Sequence, residues 1–418
     1  MQNVEVVCRN QIGREHSHGI SMMRGFKPVH IKMLSTLSVL EVFRMLGIFL
    51  VLPVFSVYAE QYTSSGLLIG IGLGSYGIAM AIFQIPMGML SDRFGRKRVI
   101  VIAMIPFIIG NLISWHPVNI FGLIIGRFIA GAGAITSSSM ALAQESVPDE
   151  KRTAAMAFLG IPIGLSFLVG IILGPLIGSY LGDSSIFLIS AILGVLGLIP
   201  FILLHLPHPE KKISYMKGRI GIDAVLMGII GMATSFVLIS IFYFLPLYFK
   251  AESLSGYEID LIIPLIIGGL IAIGLSPVAE KGRRMTFAFI SMLLIVVSVP
   301  LTFAFPISGA GKLLLLLGLA TFFTGYSITE IVFTPIISTR VSRESYGLNM
   351  GAYNTLQFIG QFAGGSMAGY VLGLNFTTPY LIRNILILES IVVISIIILL
   401  RVRFNAIPKN RKGQKSKA

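Results

Sequence analysis

Cysteine and charge are what this 418-residue sequence has least of. Cys8 is the single cysteine, which excludes an internal disulfide. Charged residues make up 12% of the chain against 55% hydrophobic residues, a balance that excludes an ordinary soluble globular domain. The composition instead predicts a protein that is embedded in a lipid bilayer.

Motifs for enzymatic and metal chemistry are also missing. The sequence has no Walker sequence, no haem-attachment signature and no H-E-x-x-H pattern, so ATP-driven transport and proteolysis lack their chemistry. No nucleophile–base pair stands out, and we expect no enzyme. His16, His18 and Cys8 match no ordinary zinc spacing, so we expect no metal site.

What the chain has in abundance is apolar runs that are long enough to cross a bilayer, since a span needs about 20 mainly apolar residues. They predict an all-α membrane protein with twelve transmembrane helices. The spans are expected at 35–59, 67–90, 99–115, 118–143, 153–181, 185–206, 222–249, 259–279, 285–305, 312–337, 348–374 and 379–401.

The basic residues predict the orientation, because lysine and arginine are retained on the cytoplasmic side of a membrane. With both termini inside, most of the 32 lysines and arginines fall on the cytoplasmic side, and only Lys250, Lys312 and Arg383 fall outside. The net charge of +14 is therefore a topological signal, and we expect no nucleic-acid partner.

An internal repeat divides the chain into two halves. The turn at 276–284 repeats the turn at 91–97 in degenerate form, as expected for six-span repeats with a site between them. The predicted units are a cytoplasmic N-terminal segment (1–34), an N-terminal six-helix bundle (35–206), a basic cytoplasmic linker (207–221), a C-terminal six-helix bundle (222–401) and a basic tail (402–418).

Four features of the sequence carry a resemblance to a known family. The turn after span 2 reads Gly88-Met-Leu-Ser-Asp92-Arg93-Phe-Gly95-Arg96-Lys97-Arg98 and resembles the signature loop of the major facilitator superfamily, a class of secondary transporters. Arg127 and the glycines around it resemble the pattern of that superfamily in span 4, and spans 1 and 2 look like those of the YajR-like branch of the drug/proton antiporters. Span 5 is similar to the antiporter glycine motif, with Gly164, Gly170, Gly174, Pro175 and Gly178.

The resemblance implies the major facilitator fold, with two six-helix bundles and a cavity lined by spans 1, 4, 7 and 10. It also implies a conformational latch at the cytoplasmic face, formed by Gly88, Asp92, Arg93, Gly95, Arg96 and Glu145 together with the start of span 11. In span 5, glycines four residues apart lie on one stripe of the helix and allow a neighbouring helix to approach closely. This helix-packing motif is Gly170, Gly174, Pro175 and Gly178.

Ionisable residues inside spans point most directly to function, because each costs about 2.5–3.5 kcal/mol at mid-membrane. Glu41 and Arg44 are three residues apart in span 1 and share a face. We predict proton coupling by Glu41, Arg44, Arg127 and Glu330, the alternative being salt bridges that only hold helices together. Glu389, in span 12, is expected to be structural.

Polar and aromatic side chains in the later spans predict a substrate path. Asn354, Gln357 and Gln361 form one polar face of span 11, and Tyr243 and Tyr326 offer rings with a polar tip. We predict that these five residues contact the substrate, with interhelical hydrogen bonding as the alternative.

Together these features predict a proton-coupled exporter of small hydrophobic or amphipathic compounds in the plasma membrane, with protons as the coupling ion and no other cofactor. The expected partners are a small-molecule substrate and the lipid bilayer, and we expect a monomer. Two alternatives stay open. One is a proton-coupled carrier of a sugar, amino acid or other metabolite, and the other is a non-transporting membrane receptor or scaffold.

Overall fold

The computed structural model describes residues 26–148, 151–203, 219–251, 257–280, 284–303, 310–340 and 346–373, and the only regular secondary structure in these ranges is helical. We call the part of the chain that precedes the linker the first half. Its helices are α1 (Pro28–Val51), α2 (Phe55–Ala59), α3 (Gly66–Phe94), α4 (Arg96–Trp115), α5 (Ile120–Gly131), α6 (Thr136–Glu145), α7 (Arg152–Leu181) and α8 (Ser185–Leu203). The second half contains α9 (Ile222–Ala251), α10 (Tyr257–Glu280), α11 (Arg284–Phe303), α12 (Ala310–Arg340) and α13 (Tyr346–Gly373).

Helices occur at every predicted span that the described residues cover. Eight stretches in this part of the chain are long and apolar enough to cross a membrane, and 263–272 and 286–298 are shorter apolar helices. The predicted twelfth span with Glu389 lies outside the described residues, as do the tail and most of the N-terminal segment and linker. The cytoplasmic position of both termini stays a prediction.

Two predicted spans are interrupted helices. Span 1 consists of α1 and α2, and the break falls around Pro53, which has no backbone N–H to continue the helix. Span 4 consists of α5 and α6, which are separated at residues 132–135. A broken helix inside a membrane is tolerated where protein or a water-filled cavity surrounds it. The break in span 4 therefore marks a region of buried polar contacts.

Contacts close to helix ends define the two ends of the molecule. At the end with the turn at Gly95, which we call the basic end, Lys97 donates a hydrogen bond to the carbonyl of Ile202 at 2.9 Å. At the other end, which we call the far end, Lys250 pairs with Glu60 at 2.6 Å. This ion pair joins the two halves, because α2 is followed by Glu60 and α9 carries Lys250.

The halves meet along α3 and α13. Glycines of α3 lie directly against the backbone of α13, so that a Cβ atom at Gly70 would collide with the carbonyl of Gly365. A Cβ atom at Gly74 would lie 2.7 Å from the Cα atom of Phe362. Small residues permit such close approach of helices. The first turns of α3, next to the far end, therefore form a closed seam with the second half.

Toward the basic end, α7 and α10 separate. Gly160, Gly164 and Leu168 lie four residues apart on one stripe of α7. A Cβ atom at Gly269 of α10 would lie 3.8 Å from Leu168, whereas at Gly160 and Gly164 it would meet no atom of the described residues within 4 Å. The two helices touch near the middle, and toward the basic end the described residues leave the space beside Gly160 and Gly164 open. We call the space between the halves on this side the gap.

Candidate functional site

Span 1 carries a buried ion pair. Arg44 donates to Glu41 Oε2 through Nε at 3.2 Å and through Nη2 at 2.9 Å, and both side chains are almost completely buried. The pair forms because residues three apart in a helix lie on one face. Burying two charges is tolerated only when they neutralise each other. The pair links a carboxylate and a guanidinium with no direct access to solvent.

This pair reaches the break in span 4. Arg44 Nη2 also donates to Thr136 Oγ1 at 2.7 Å, and Thr136 is the first residue of α6. Glu41 Oε1 and Arg44 Nη1 are buried and have no hydrogen-bond partner among the residues that the structure describes. A buried polar atom without a partner is costly, so the network has capacity for further hydrogen bonds or for a proton.

Arg127, in α5, lies between aromatic rings. Its guanidinium carbon is 4.8 Å from the ring centroid of Tyr76 and 5.7 Å from that of Phe55, and the side chain is buried. Within the described part of the chain it forms no ion pair. Attraction to the ring faces stabilises a cation at such distances. Glu41 is thus not its direct partner.

Glu330, in α12, is different from Glu41 because it is exposed. Gln357 Nε2, in α13, donates to Glu330 Oε1 at 3.0 Å and also contacts the hydroxyl of Tyr353 at 3.1 Å. Tyr326, one turn earlier in α12, forms a side-chain hydrogen bond with the same carboxylate. The sequence predicted proton coupling for Glu330 and substrate contacts for Gln357 and Tyr326 separately, and the structure brings these three side chains together.

Aromatic rings from both halves lie next to this carboxylate. The Tyr326 ring stacks with Phe167 of α7 at a centroid distance of 6.0 Å and with Phe322 of α12 at 6.1 Å. Phe167 and Tyr326 are both partly exposed. Sequence reasoning missed Phe167 and Phe322, because 28 phenylalanines in a membrane chain give no signal that singles out two of them.

Two predicted substrate contacts lie elsewhere in this conformation. Tyr243 is fully buried, and its hydroxyl donates to the carbonyl of Gly66 at 3.0 Å, so it seals the far end. Gln361 packs against Gly77 in the seam between α13 and α3. In this conformation both residues take part in interhelical packing, and the substrate contact of each stays a prediction. Asn354 is partly exposed.

The turn at the basic end is held by charges within the first half. Arg96 pairs with Asp92 and with Glu145 of α6, the latter at 2.8 Å, and it donates to Ser91 Oγ at 2.6 Å. Gly95 has φ of 97°, a conformation that favours glycine and makes this tight turn accessible. The turn is therefore fixed to α6 by one arginine.

The other predicted latch residues have separate positions. Arg93 lies with its guanidinium 5.4 Å from the ring of Phe94, and no ion pair of Arg93 occurs among the described residues. Gly88 is buried, and its carbonyl accepts a hydrogen bond from Ser91. Residues 341–345, just before α13, lie outside the described residues, so the contact predicted with the start of span 11 stays a prediction.

Asp92→Asn tests the predicted latch. The variant loses the charge that pairs with Arg96, and we expect transport to slow several-fold because the latch biases the equilibrium between two states. Substrate affinity should change by no more than that population shift. Initial rates of transport at matched expression measure the effect, and a normal rate would remove the latch from the mechanism.

The glycine motif of span 5 packs against span 1. A Cβ atom at Gly170 would clash with Phe49, and one at Gly174 would clash with the carbonyl of Leu50. Gly178 faces the carboxylate of Asp183 in the turn that follows. Pro175 lies inside α7, which continues to Leu181. Gly170, Gly174 and Gly178 therefore form a packing surface within the first half of the molecule.

The far end carries a second acidic group. Burial raises the pKa of Asp183 above the ordinary value of an aspartate, and the charge of Lys250 opposes that shift in part. Lys250 thus faces Glu60 through an ion pair and Asp183 through a longer-range attraction. Its charge links α9 of the second half to two segments of the first half.

Known proteins resemble this chain over most or about half of its length. Residues 37–365 match the family model of the Major Facilitator Superfamily. The inner membrane transport protein YajR of Escherichia coli (strain K12) is 32% identical over 347 residues, which cover 79% of this chain and 75% of YajR. The putative multidrug resistance protein MdtD of Yersinia pestis (strain Pestoides F) is 32% identical over 202 residues, which cover 48% of this chain and 40% of MdtD.

The chain therefore belongs to the major facilitator superfamily, and it falls in the YajR-like branch. The crystal structure of the nucleoside transporter NupG matches the fold with a TM-score of 0.68 and 16% identity, over 90% of this chain and 99% of NupG. The protein is an integral multi-pass membrane transporter and not an enzyme.

Proposed function

We propose that this protein is a proton-coupled exporter of small hydrophobic or amphipathic compounds that works by alternating access. The observation that carries the proposal is Glu330, an exposed carboxylate with no cationic partner among the described residues. A carboxylate without a cation near it, in a protein-lined space, is a group that a proton or a substrate can neutralise. Competition for one carboxylate couples the two in opposite directions.

The arrangement of the two halves supports alternating access. The seam between α3 and α13 is closed at the far end, while α7 and α10 part toward the basic end. A site between two repeats that opens on one side at a time is the arrangement of rocking-bundle transporters. The buried pair Glu41–Arg44 and the nearby Arg127 form a second charged group in the first half, and we assign them to proton coupling with Glu330.

The relatives support the direction and the location. MdtD is named a putative multidrug resistance protein and YajR an inner membrane transport protein. We therefore assign export rather than import, in the plasma membrane. The lining of Phe167, Tyr326 and Gln357 is mainly aromatic with few polar groups, which suits an amphipathic compound better than a sugar. The working unit is assigned as a monomer.

Proton movement in liposomes tests this function. Purified protein is reconstituted with a pH-sensitive dye inside, and chloramphenicol, ethidium and taurocholate serve as neutral, cationic and anionic amphipathic probes. We expect at least one probe to move protons, and we expect Glu330→Gln to lower that flux at least tenfold because it fixes the group as neutral. Glu41→Gln should retain binding and lose coupling.

Glu60→Gln is the matched control. It is the same substitution at an exposed ion pair of the far end, and such pairs contribute only about 0–1 kcal/mol. We expect its proton flux to stay within about twofold of the wild type. Undiminished flux in Glu330→Gln would remove this residue from the coupling, and the absence of proton movement with all three probes would refute the proposed function.

A further inference from the structure

The break in span 4 places the start of a helix inside the protein. α6 extends over ten residues from Thr136 to Glu145, and Thr136 is buried. The backbone N–H groups of residues 136–138 have no hydrogen-bond acceptor among the residues that the structure describes. Ile135, which precedes the helix, has no side chain that accepts from them. The start of α6 therefore presents free donors and the positive end of a helix dipole in a buried position.

A buried guanidinium lies against the same helix end. Arg44 Nη2 donates to Thr136 Oγ1 at 2.7 Å, while Nη1 of this guanidinium has no hydrogen-bond partner in the described part of the chain. Gln84 of α3 is close as well, because its backbone carbonyl accepts from Ser137 Oγ at 3.3 Å. The side-chain amide of Gln84 is completely buried, and neither its nitrogen nor its oxygen has a partner within the described ranges. Unpartnered donors of two side chains thus join those of the backbone.

The buried charges around this helix end do not balance. Among the described residues, the almost completely buried charged side chains are Arg44, Arg127 and Glu41, which carry two positive charges and one negative charge. Glu41 neutralises Arg44. Arg127 lies over the ring of Tyr76, and Tyr76 is within electrostatic range of both arginines. One positive charge is left over in the core of the first half, and a buried charge is costly unless an opposite charge compensates it.

A small anion meets both requirements of this region. Water would accept from the free donors, but it carries no charge and leaves the surplus positive charge in place. A metal cation would add to that surplus and would face the positive end of α6. Helix N-termini bind anions through the backbone N–H groups of the first turn. The side chains of Arg44, Gln84 and Thr136 are buried, so the described residues leave no opening for a large solute.

We propose that the start of α6, together with Arg44 and Gln84, binds chloride or an inorganic monoanion of similar size. The ion accepts hydrogen bonds from Arg44 Nη1 and from the backbone N–H groups of residues 136–138. Its negative charge offsets the surplus positive charge of Arg127. The site goes beyond the proposed export function, because it assigns the first half an ion of its own and involves neither Glu330 nor a substrate.

Binding of radiolabelled chloride tests the site directly. The protein is solubilised and purified in sodium gluconate throughout, and chloride binding is then measured by scintillation proximity. We expect saturable binding that bromide and nitrate displace, while gluconate, which is too large, does not displace it. The absence of saturable binding would show that water alone occupies the start of α6 and would overturn the proposal before any variant is made.

Thermal unfolding in the same buffers provides a second readout. A ligand that binds only the folded state stabilises it by mass action. When chloride replaces gluconate at constant ionic strength, we expect the unfolding temperature of the purified protein to rise by several degrees and then to level off. An unfolding temperature that is the same in the two salts would contradict the proposal.

Arg44→Lys locates the ion at the guanidinium. Lysine keeps the positive charge and removes Nη1, so we expect chloride binding to weaken by about tenfold or more. Arg98→Lys is the matched control, because it is the same substitution at an exposed arginine of the basic end. Its chloride affinity should stay within about twofold of the wild type. Wild-type affinity in Arg44→Lys would remove Arg44 from the site.

Thr136→Asp attaches the negative charge to the protein. An aspartate in the first turn of a helix is favoured by the helix dipole, and here it would lie next to Arg44. We expect this variant to bind no radiolabelled chloride and to unfold at the same temperature in chloride and in gluconate. Thr136→Asn is nearly the same size without the charge and should keep the dependence on chloride. Chloride binding with wild-type affinity in Thr136→Asp would place the ion elsewhere and contradict the assignment.

Discussion

Arg44→Ala is expected to abolish transport driven by a pH gradient and to lower the unfolding temperature markedly. The substitution leaves the buried Glu41 carboxylate without its cation and Thr136 without its donor. Removing one partner of a buried ion pair costs about 3–5 kcal/mol, because the remaining charge is uncompensated. Thermal unfolding of the purified protein in detergent and proton flux in liposomes measure the two effects.

A double variant separates charge from packing in this pair. Glu41→Gln combined with Arg44→Ala removes the uncompensated charge, so we expect part of the lost stability to return while coupling stays absent. Arg44→Lys keeps the charge and loses the two-point contact with Glu41, and we expect it to retain some transport with a shifted pH optimum. Unchanged stability in Arg44→Ala would contradict the pairing.

Gly70→Ala is expected to reduce transport at least tenfold by forcing apart the seam at the far end. The added methyl group meets the backbone carbonyl of Gly365, and a backbone atom cannot move aside as the end of a side chain can. The variant should therefore disfavour the conformation in which α3 and α13 touch. A cysteine introduced at Gly66 should then react faster with a water-soluble thiol reagent in a Cys8-free background.

Gly122→Ala provides the control for Gly70→Ala. A Cβ atom at Gly122 of α5 would meet Pro117 at 3.5 Å, which is ordinary van der Waals contact. The same change of one methyl group should leave transport and thiol reactivity near the wild-type values. Equal effects of the two variants would show that the loss comes from added side-chain volume in a helix and not from the seam.

Local sequence patterns predicted the parts of the site that lie within one helix or one turn. Glu41 and Arg44 pair because three residues bring them to one face of α1, which the spacing alone indicates. The sequence likewise predicted a tight turn at Gly95, because this glycine lies among charged residues between two apolar runs. In the structure Gly95 has a positive φ, which a glycine adopts easily.

Contacts between distant segments could not be read in this way. Tyr243 and Gln361 looked like substrate contacts, because a polar group in an apolar helix suggests a path. The structure uses both in the packing of the two halves, Tyr243 through the carbonyl of Gly66 and Gln361 against Gly77. Phe167 had no signal in the sequence, because its importance depends on Tyr326, a residue of the other half.

The sequence by itself determined the membrane class, the helices of the described residues and the family. These features are visible in long apolar runs and in one short charged turn, and both kinds of signal involve only residues that are close together in the chain. It also singled out the charges inside apolar runs, of which Glu41, Arg44 and Arg127 are buried while Glu330 is exposed. Only the tertiary structure decided which face of each helix meets the other half. It closes the seam of α3 and α13, opens the gap beside α7 and α10, and sets Glu330 among rings from both halves. These features depend on packing between segments far apart in the chain, and the period of one helix does not encode the identity of its partner.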